Sequence, residues 1–454
     1  MAQLQNKARL TQGSVTKGLA GLIWPMVWGL MAAVSQPLVD TYFVGQLGTQ
    51  QLAAMTFIFP IAFTFSSVII GLGIGTSAVL ARLIGAEKWD EVRQTNTHGM
   101  FLTITIVAIL MLIGLMSMNT LFSLMGASPE ILALISQYMK IWYGSILLLA
   151  LPMAGTSSLR AKGASIAASA IMTVTAVANF ILDPILIFGL FGAPELGFAG
   201  AAWASVGANL AAGLVGAYIL IVREDMLDLH LPDWNAMLIR WRSILHVGMP
   251  AALTNLISPL SAVAVISIVS GLGEATIAGF GVAVNVEAFS LIVPQALSAI
   301  IGPFVGQNYG AGSVKRIHQA MRQTLGIAVA YGLTMALLLA IFSQWIGAQF
   351  RDDPHVIEVT ALYLSIVPIS YSFFAVVMVI AGAFNALGYP RPNVMFYSTK
   401  LILLYIPLAY LGARFYGFVG IAYAAAFSNL ITGSLAFYWY HKHFPTLTAR
   451  AGKN

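Results

Sequence analysis

The chain alternates between long apolar stretches and short polar segments. A helix needs about 20 apolar residues to cross a hydrocarbon core roughly 30 Å thick. Twelve stretches meet this requirement, near residues 19–45, 52–81, 97–122, 131–158, 165–189, 197–222, 245–271, 276–304, 319–345, 356–386, 392–413 and 417–440. The pattern predicts an all-α integral membrane protein with about twelve transmembrane helices.

Composition and charge agree with a bilayer as the main solvent. Of 454 residues, 59% are hydrophobic and 8% are charged, whereas soluble domains carry about 25% charged residues. There is no cysteine, which excludes disulfides and thiolate metal sites. All lysines and arginines except Lys140, Arg351, Arg414 and Lys400 fall in loops or tails on the side of the N-terminus. The positive-inside rule therefore predicts cytoplasmic termini, and the basic residues do not indicate nucleic-acid binding.

The sequence contains an internal duplication. The matched pairs are Pro25 and Pro250, Gly48 and Gly273, and Gly163 and Gly388 at a shift of 225 residues, Pro184 and Pro407 at 223, and Asn209 and Asn429 at 220. We interpret residues 1–222 as an N-lobe, 223–243 as a cytoplasmic linker and 244–454 as a C-lobe. Six spans per copy predict two homologous six-helix bundles related by a pseudo-two-fold axis along the membrane normal, with substrate bound between them.

Two carboxylates occur in the first copy alone. Asp40 corresponds to Val265, and Asp183 corresponds to Ile406. Both lie about 8–9 Å from the outer ends of their predicted helices, and Asn179 lies one turn before Asp183 on the same face. An intramembrane carboxylate is costly unless it is neutralised, paired or hydrated. We expect one outward-reachable site that binds a proton or a small cation such as sodium, although each Asp could instead cap a frayed helix end.

Two prolines and two further charges are secondary candidates. Pro25 and Pro37 each remove a backbone donor, and we expect them to let the first helix bend. Glu287 also occurs in one copy alone. A functional role is as consistent with this as the alternative, in which the carboxylate is merely paired or partly hydrated. Lys400 lies within a span, and we expect it to snorkel to the inner interface.

The first span resembles a known family of transporters. The segment from Pro37 to Gly48, Pro-Leu-Val-Asp-Thr-Tyr-Phe-Val-Gly-Gln-Leu-Gly, together with the six-plus-six layout, resembles the multidrug and toxic compound extrusion (MATE) family, and within it the DinF-like bacterial branch. The resemblance implies a V-shaped bundle that exports cationic or amphipathic drugs in exchange for protons or sodium. It also implies that Asp40, Asp183 and Asn179 form a cation-linked site and that Pro25 lets the first helix bend.

These features together predict a secondary active multidrug exporter in the bacterial cytoplasmic membrane. The expected partners are small organic cations and the lipid bilayer, with a monomeric protein and no cofactor other than the coupling ion. Protons are favoured because residues 249–271 and 363–388 contain no acid, whereas the sodium-coupled NorM-like branch carries acids in the corresponding spans. Sodium-coupled export and flipping of lipid-linked sugars, which would need a strongly cationic cavity, are alternatives. No constellation typical of an enzyme or an ATPase occurs in the sequence.

Overall fold

The computed structural model describes residues 8–228, 230, 233–350 and 352–451, which are almost entirely helical and contain no strand. Arg351, which the sequence places on the outer side, lies outside these residues. The helices of the first half are α1 (Val15–Gly45), α2 (Thr49–Gly85), α3 (Trp89–Leu124), α4 (Pro129–Lys162), α5 (Ser165–Phe188) and α6 (Phe198–Tyr218). Those of the second half are α7 (Trp234–Ser270), α8 (Glu274–Ser290), α9 (Ile292–Gly310), α10 (Val314–Phe350), α11 (Pro354–Ile366), α12 (Tyr371–Ala386), α13 (Arg391–Ser398) and α14 (Ile406–Thr448).

The described part of the chain confirms about twelve membrane spans. It contains 11 continuous helical stretches that are long and apolar enough to cross a bilayer, and the last of them, Arg391–Thr448, has 58 residues. A straight helix of that length would measure almost three bilayer cores. At Gly417 the backbone leaves the helical region, with φ 61°, and a Cβ on Gly412 would lie 2.6 Å from the carbonyl oxygen of Gly420. The chain therefore reverses direction at Gly417, and this stretch contributes two spans.

Helix ends are set by local capping residues. At the start of α4, Ser128 Oγ accepts a hydrogen bond from the Ile131 amide at 3.4 Å, which satisfies one of the unpaired amides of the first turn. At its end, Gly163 adopts φ 81° and donates its amide to the Arg160 carbonyl, a termination that glycine makes without strain. These caps extend α4 beyond the predicted span 131–158 at both ends.

The predicted span 276–304 is interrupted where α8 ends and α9 begins. Pro294 has no amide proton, so it leaves the carbonyl of Ser290 without its helical donor. The hydroxyl of Tyr331, in α10, donates a hydrogen bond to that carbonyl at 2.9 Å. The break is thus stabilised by a partner from another helix, which periodicity along the sequence does not reveal.

The described residues form two compact units. Unit 1 includes Trp24–Ala252, and unit 2 includes Ala8–Ile23 together with the residues from Leu253 onward. The units differ from the sequence halves because α1 and α7 each pass from one unit to the other. Both crossings occur within about three residues of the repeat-related prolines Pro25 and Pro250.

The predicted linker 223–243 differs from the structure in its second part, which is helical from Trp234 onward. Asp233 starts this helix by accepting a hydrogen bond from the Asn235 amide at 3.1 Å. Trp241 then anchors it, because its indole donates to the carbonyl of His98 at 2.8 Å. The charges that suggested a solvated linker therefore lie partly on the first turns of α7.

Each unit has its own aromatic core. In unit 1, Phe65 packs edge-on against Trp142 at 5.6 Å between ring centroids, and in unit 2 Phe280 packs in the same manner against Tyr363 at 5.6 Å. Many large apolar side chains point outward, and Met116 is 88% exposed. Such a surface suits contact with lipid chains.

Candidate functional site

The position of the site follows from the packing of α1 against α5. The two helices approach closely at Gly29, where a Cβ would lie 3.1 Å from atoms of Ser169 and Met172. Asp40 follows Gly29 by eleven residues, and Asp183 follows Met172 by eleven, which corresponds to about 17 Å along each helix axis. Equal distances from a shared contact place both carboxylates at one depth.

The structure brings Asp40, Asp183 and Asn179 together. The carboxyl groups of Asp40 and Asp183 lie within hydrogen-bonding reach of each other, and the Asn179 side chain reaches Asp40 as well. The Asn179 amide donates to Asp183 Oδ1 at 3.4 Å. Asn179 and Asp183 have no exposed surface, whereas Asp40 is partly exposed. The site is therefore inside unit 1 with one carboxylate at its edge.

Three oxygen atoms of this site have no hydrogen-bond donor among the described residues. They are Asp40 Oδ1, Asn179 Oδ1 and Asp183 Oδ2, and all three are buried. Two carboxyl groups in contact hydrogen-bond to each other when one of them holds a proton, and a small cation between them would satisfy the same oxygens. The described residues contain no cluster of three or more His, Cys, Asp or Glu that could hold a metal ion, so a cation here would also need the amide oxygen.

Tyr138 and Ser205 belong to this site, although sequence analysis did not identify them. Tyr138, in α4, is 5% exposed and lies beside both carboxylates and close to Ser205 of α6. Its ring packs on Phe198 at 5.2 Å. The sequence does contain a signal, because the repeat shift of 225 residues aligns Tyr138 with Tyr363. A search for polar residues that occur in only one half excludes such a matched pair.

The prolines of α1 lie inside a continuous helix. The hydroxyl of Ser169 donates a hydrogen bond to the carbonyl of Pro25, and the Thr41 hydroxyl donates to the carbonyl of Pro37 at 2.7 Å. This hydrogen bond joins α1 to α5 at Pro25, the residue at which bending is predicted. Whether the helix bends stays a prediction.

Glu287 and Lys400 lie in unit 2, apart from the acid pair. Glu287 Oε2 accepts a hydrogen bond from the Tyr363 hydroxyl at 2.6 Å. Lys400 is 9% exposed, and its ammonium lies over the ring of Phe374, 3.0 Å from the centroid. The expectation that Lys400 snorkels to the interface is wrong, because an aromatic ring holds the ammonium inside the unit.

Twelve apolar spans in two related sets of six, with a buried pair of acids in one set, are typical of secondary transporters built from repeats. The family model described as MatE matches residues 25–185 and again residues 250–411. The two matches begin 225 residues apart, at Pro25 and Pro250. The chain belongs to the MATE family, whose members are transporters.

Similar proteins cover almost the whole chain. A protein named FAD transporter from Shewanella oneidensis is 34% identical, with 96% of each chain covered. A probable multidrug resistance protein, YoeA of Bacillus subtilis, is 26% identical over 96% of each. A solved structure of a mutant of the Vibrio cholerae MATE transporter VcmN superposes with a TM-score of 0.91 at 30% identity and covers 96% of this chain and 98% of that one.

Proposed function

We propose that this protein is a secondary active exporter that couples the inward flow of protons to the outward movement of organic compounds. The carboxyl contact between Asp40 and Asp183 is the observation that carries this proposal. A proton held between two carboxylates inside a membrane span changes the charge of the site. Such a change is what an ion-coupled conformational switch requires.

In the proposed cycle, the deprotonated acid pair favours the substrate-loaded, outward-facing state with a straight α1. Protons from outside neutralise the pair, α1 bends near Pro25, and the substrate is expelled. The protonated carrier returns inward and releases its protons to the cytoplasm, the side on which we expect both termini. Support for the hinge comes from Pro25 itself, which lacks the amide that would otherwise bond to the carbonyl of Gly21.

Two classes of cargo are proposed. Cationic or amphipathic drugs fit the multidrug resistance protein to which the chain is similar, and the acid pair would attract a cation. A flavin dinucleotide fits the relative named FAD transporter, which has higher identity. The buried ammonium of Lys400 favours this second cargo, because FAD carries a negatively charged pyrophosphate.

Transport in proteoliposomes tests the proposal. Purified protein would be reconstituted, and movement of a fluorescent cationic dye and of FAD would be followed while a pH gradient or a sodium gradient is imposed separately. We expect transport driven by the pH gradient in the wild type and its loss in Asp40→Asn. Asp352→Asn is the matched control, since Asp352 is an exposed loop residue.

Each other outcome has a defined meaning. If a sodium gradient drives transport, the coupling ion is sodium instead of the proton, and the acid pair remains the proposed coupling site. Gradient-driven transport that persists in Asp40→Asn would refute the assignment of the coupling site. An absence of transport for both cargoes, with movement of a lipid-linked sugar instead, would favour the flippase.

A further inference from the structure

The second half departs from the repeat around Lys400. The shift between the halves changes from 225 at Gly388 to 223 at Pro407. Lys400 lies in this interval, within the π-helical turn Thr399–Tyr405, whereas the equivalent helix α5 is α-helical throughout. Short π-helical turns inside α-helices frequently occur at functional sites. The π-helical turn that contains Lys400 is therefore a difference between the two halves at a buried charge.

The ammonium of Lys400 has an aromatic neighbour instead of an acidic one. It lies on the face of Phe374, and no carboxylate of the described residues is within 4.0 Å of it. A cation is attracted to the face of an aromatic ring, but this attraction is smaller than the cost of moving an ammonium out of water. The contact with Phe374 therefore offsets part of the cost, and an anion at this position would offset more of it.

Glu287, the acid that interacts electrostatically with Lys400, is hydrogen-bonded to another residue. Tyr363 donates its hydroxyl to Glu287 at 2.6 Å, and Glu287 is close enough to Lys400 to interact electrostatically without a direct contact. The hydroxyl of Tyr371, also near Glu287, is buried and has no hydrogen-bond partner among the described residues. Glu287 thus has near it both the ammonium of Lys400 and a buried hydroxyl donor that has no acceptor in the described part of the chain.

We propose that Lys400, Phe374 and Tyr371 form a binding site for the phosphate group of an exported organic phosphate, such as a flavin nucleotide. The ammonium and the tyrosine hydroxyl would donate hydrogen bonds to the phosphate oxygens. When the ammonium turns to the phosphate, the face of Phe374 becomes available to an aromatic ring of the ligand. Glu287 balances the charge of Lys400 while the site is empty. This inference rests on the proposed export function and specifies its cargo.

Binding to purified protein without any gradient tests this site separately from coupling. Fluorescence titrations would compare FAD, FMN and riboflavin, which share the flavin ring but differ in phosphate. We expect FAD and FMN to bind at least about tenfold more tightly than riboflavin, since a charged hydrogen-bonded pair contributes on that scale. Their affinity should fall as salt rises, because the attraction is electrostatic.

Substitutions at Lys400 complete the test. Lys400→Met keeps most of the side-chain length and should reduce FAD and FMN binding to the riboflavin level, whereas Lys400→Arg keeps the charge and should retain the phosphate preference. Lys442→Met is the matched control, because Lys442 also lies over an aromatic ring in unit 2, at 5.7 Å from the centroid of Tyr438, but is exposed. If Lys400→Met does not fold, Lys400→Arg and the salt dependence decide the question.

Three results would overturn the inference. They are equal binding of FAD and riboflavin by the wild type, unchanged FAD binding by Lys400→Met, and no binding of any of the three flavins. None of them bears on the acid pair. Conversely, a failure of Asp40→Asn to abolish gradient-driven transport would refute the coupling site and leave the phosphate site intact.

Discussion

Replacement of Gly29 by valine should uncouple transport without altering a charged group. A Cβ at this position would lie 3.1 Å from atoms of Ser169 and Met172, closer than the ordinary contact range of 3.4–4 Å. Alanine therefore requires a shift of a few tenths of an ångström, and the two methyl groups of valine require more, at a cost of about 1–3 kcal/mol. The shift separates α1 from α5 and moves the Asp40 and Asp183 carboxyl groups apart. The hydrogen bond that a shared proton would form between them weakens steeply with distance.

The loss of a hydrogen bond to a charged group costs about 1.5–3 kcal/mol, or roughly ten- to hundredfold in an equilibrium. We therefore expect Gly29→Val to reduce pH-driven dye transport in proteoliposomes by at least about tenfold, with Gly29→Ala between it and the wild type. Gly45→Ala in the same helix is the control, because nothing lies within 4 Å of a Cβ there. Wild-type transport by a folded Gly29→Val protein, or an equal loss in Gly45→Ala, would refute the reasoning.

Two further predictions concern stability, measured as thermal unfolding in detergent. Lys162→Met should destabilise unit 1 by about 1.5–3 kcal/mol, because it removes the cation 3.1 Å from the almost fully buried Glu224 and leaves Arg223, 3.8 Å away, beside it. Lys88→Met breaks an exposed ion pair and should change stability by less than about 1 kcal/mol. Equal effects of the two substitutions would contradict the expectation. Tyr331→Phe should lower the free energy of unfolding by about 1–3 kcal/mol, because it removes the Tyr331 hydroxyl that donates to the Ser290 carbonyl at the α8–α9 break. An unchanged melting temperature would show that the hydroxyl does not stabilise the break.

Much of the architecture could be predicted because bilayer thickness imposes a minimum length on every apolar helix. The duplication also indicated which acids to examine, and Asp40 and Asp183 lie together in the structure. Periodicity did not predict the interruption at Leu291. Pro294 is visible in the sequence, but the donor that stabilises the break belongs to Tyr331, 40 residues beyond Leu291. Nor did the pattern reveal the π-helical turn that carries Lys400, because hydrophobic periodicity does not distinguish a π-turn from an α-turn.

The site was predicted incompletely for a related reason. Tyr138 matches Tyr363 in the other half, so a comparison that selects differences between the halves discards it. The two tyrosines nevertheless have different surroundings, since Tyr138 lies beside Asp40 and Asp183 whereas Tyr363 donates to Glu287. A position shared by the two halves thus contributes to two different polar clusters, and only the three-dimensional arrangement identifies its neighbours.

Proton release on substrate binding tests the central claim most directly. Purified protein in weakly buffered detergent solution would be mixed with a saturating cationic dye or with FAD, and the change in pH would be recorded with an indicator. The account predicts that the wild type and Asp352→Asn release protons, whereas Asp40→Asn and Asp183→Asn bind the compound without releasing any. Equal proton release by the wild type and both site variants would contradict the claim that this acid pair couples proton flow to export.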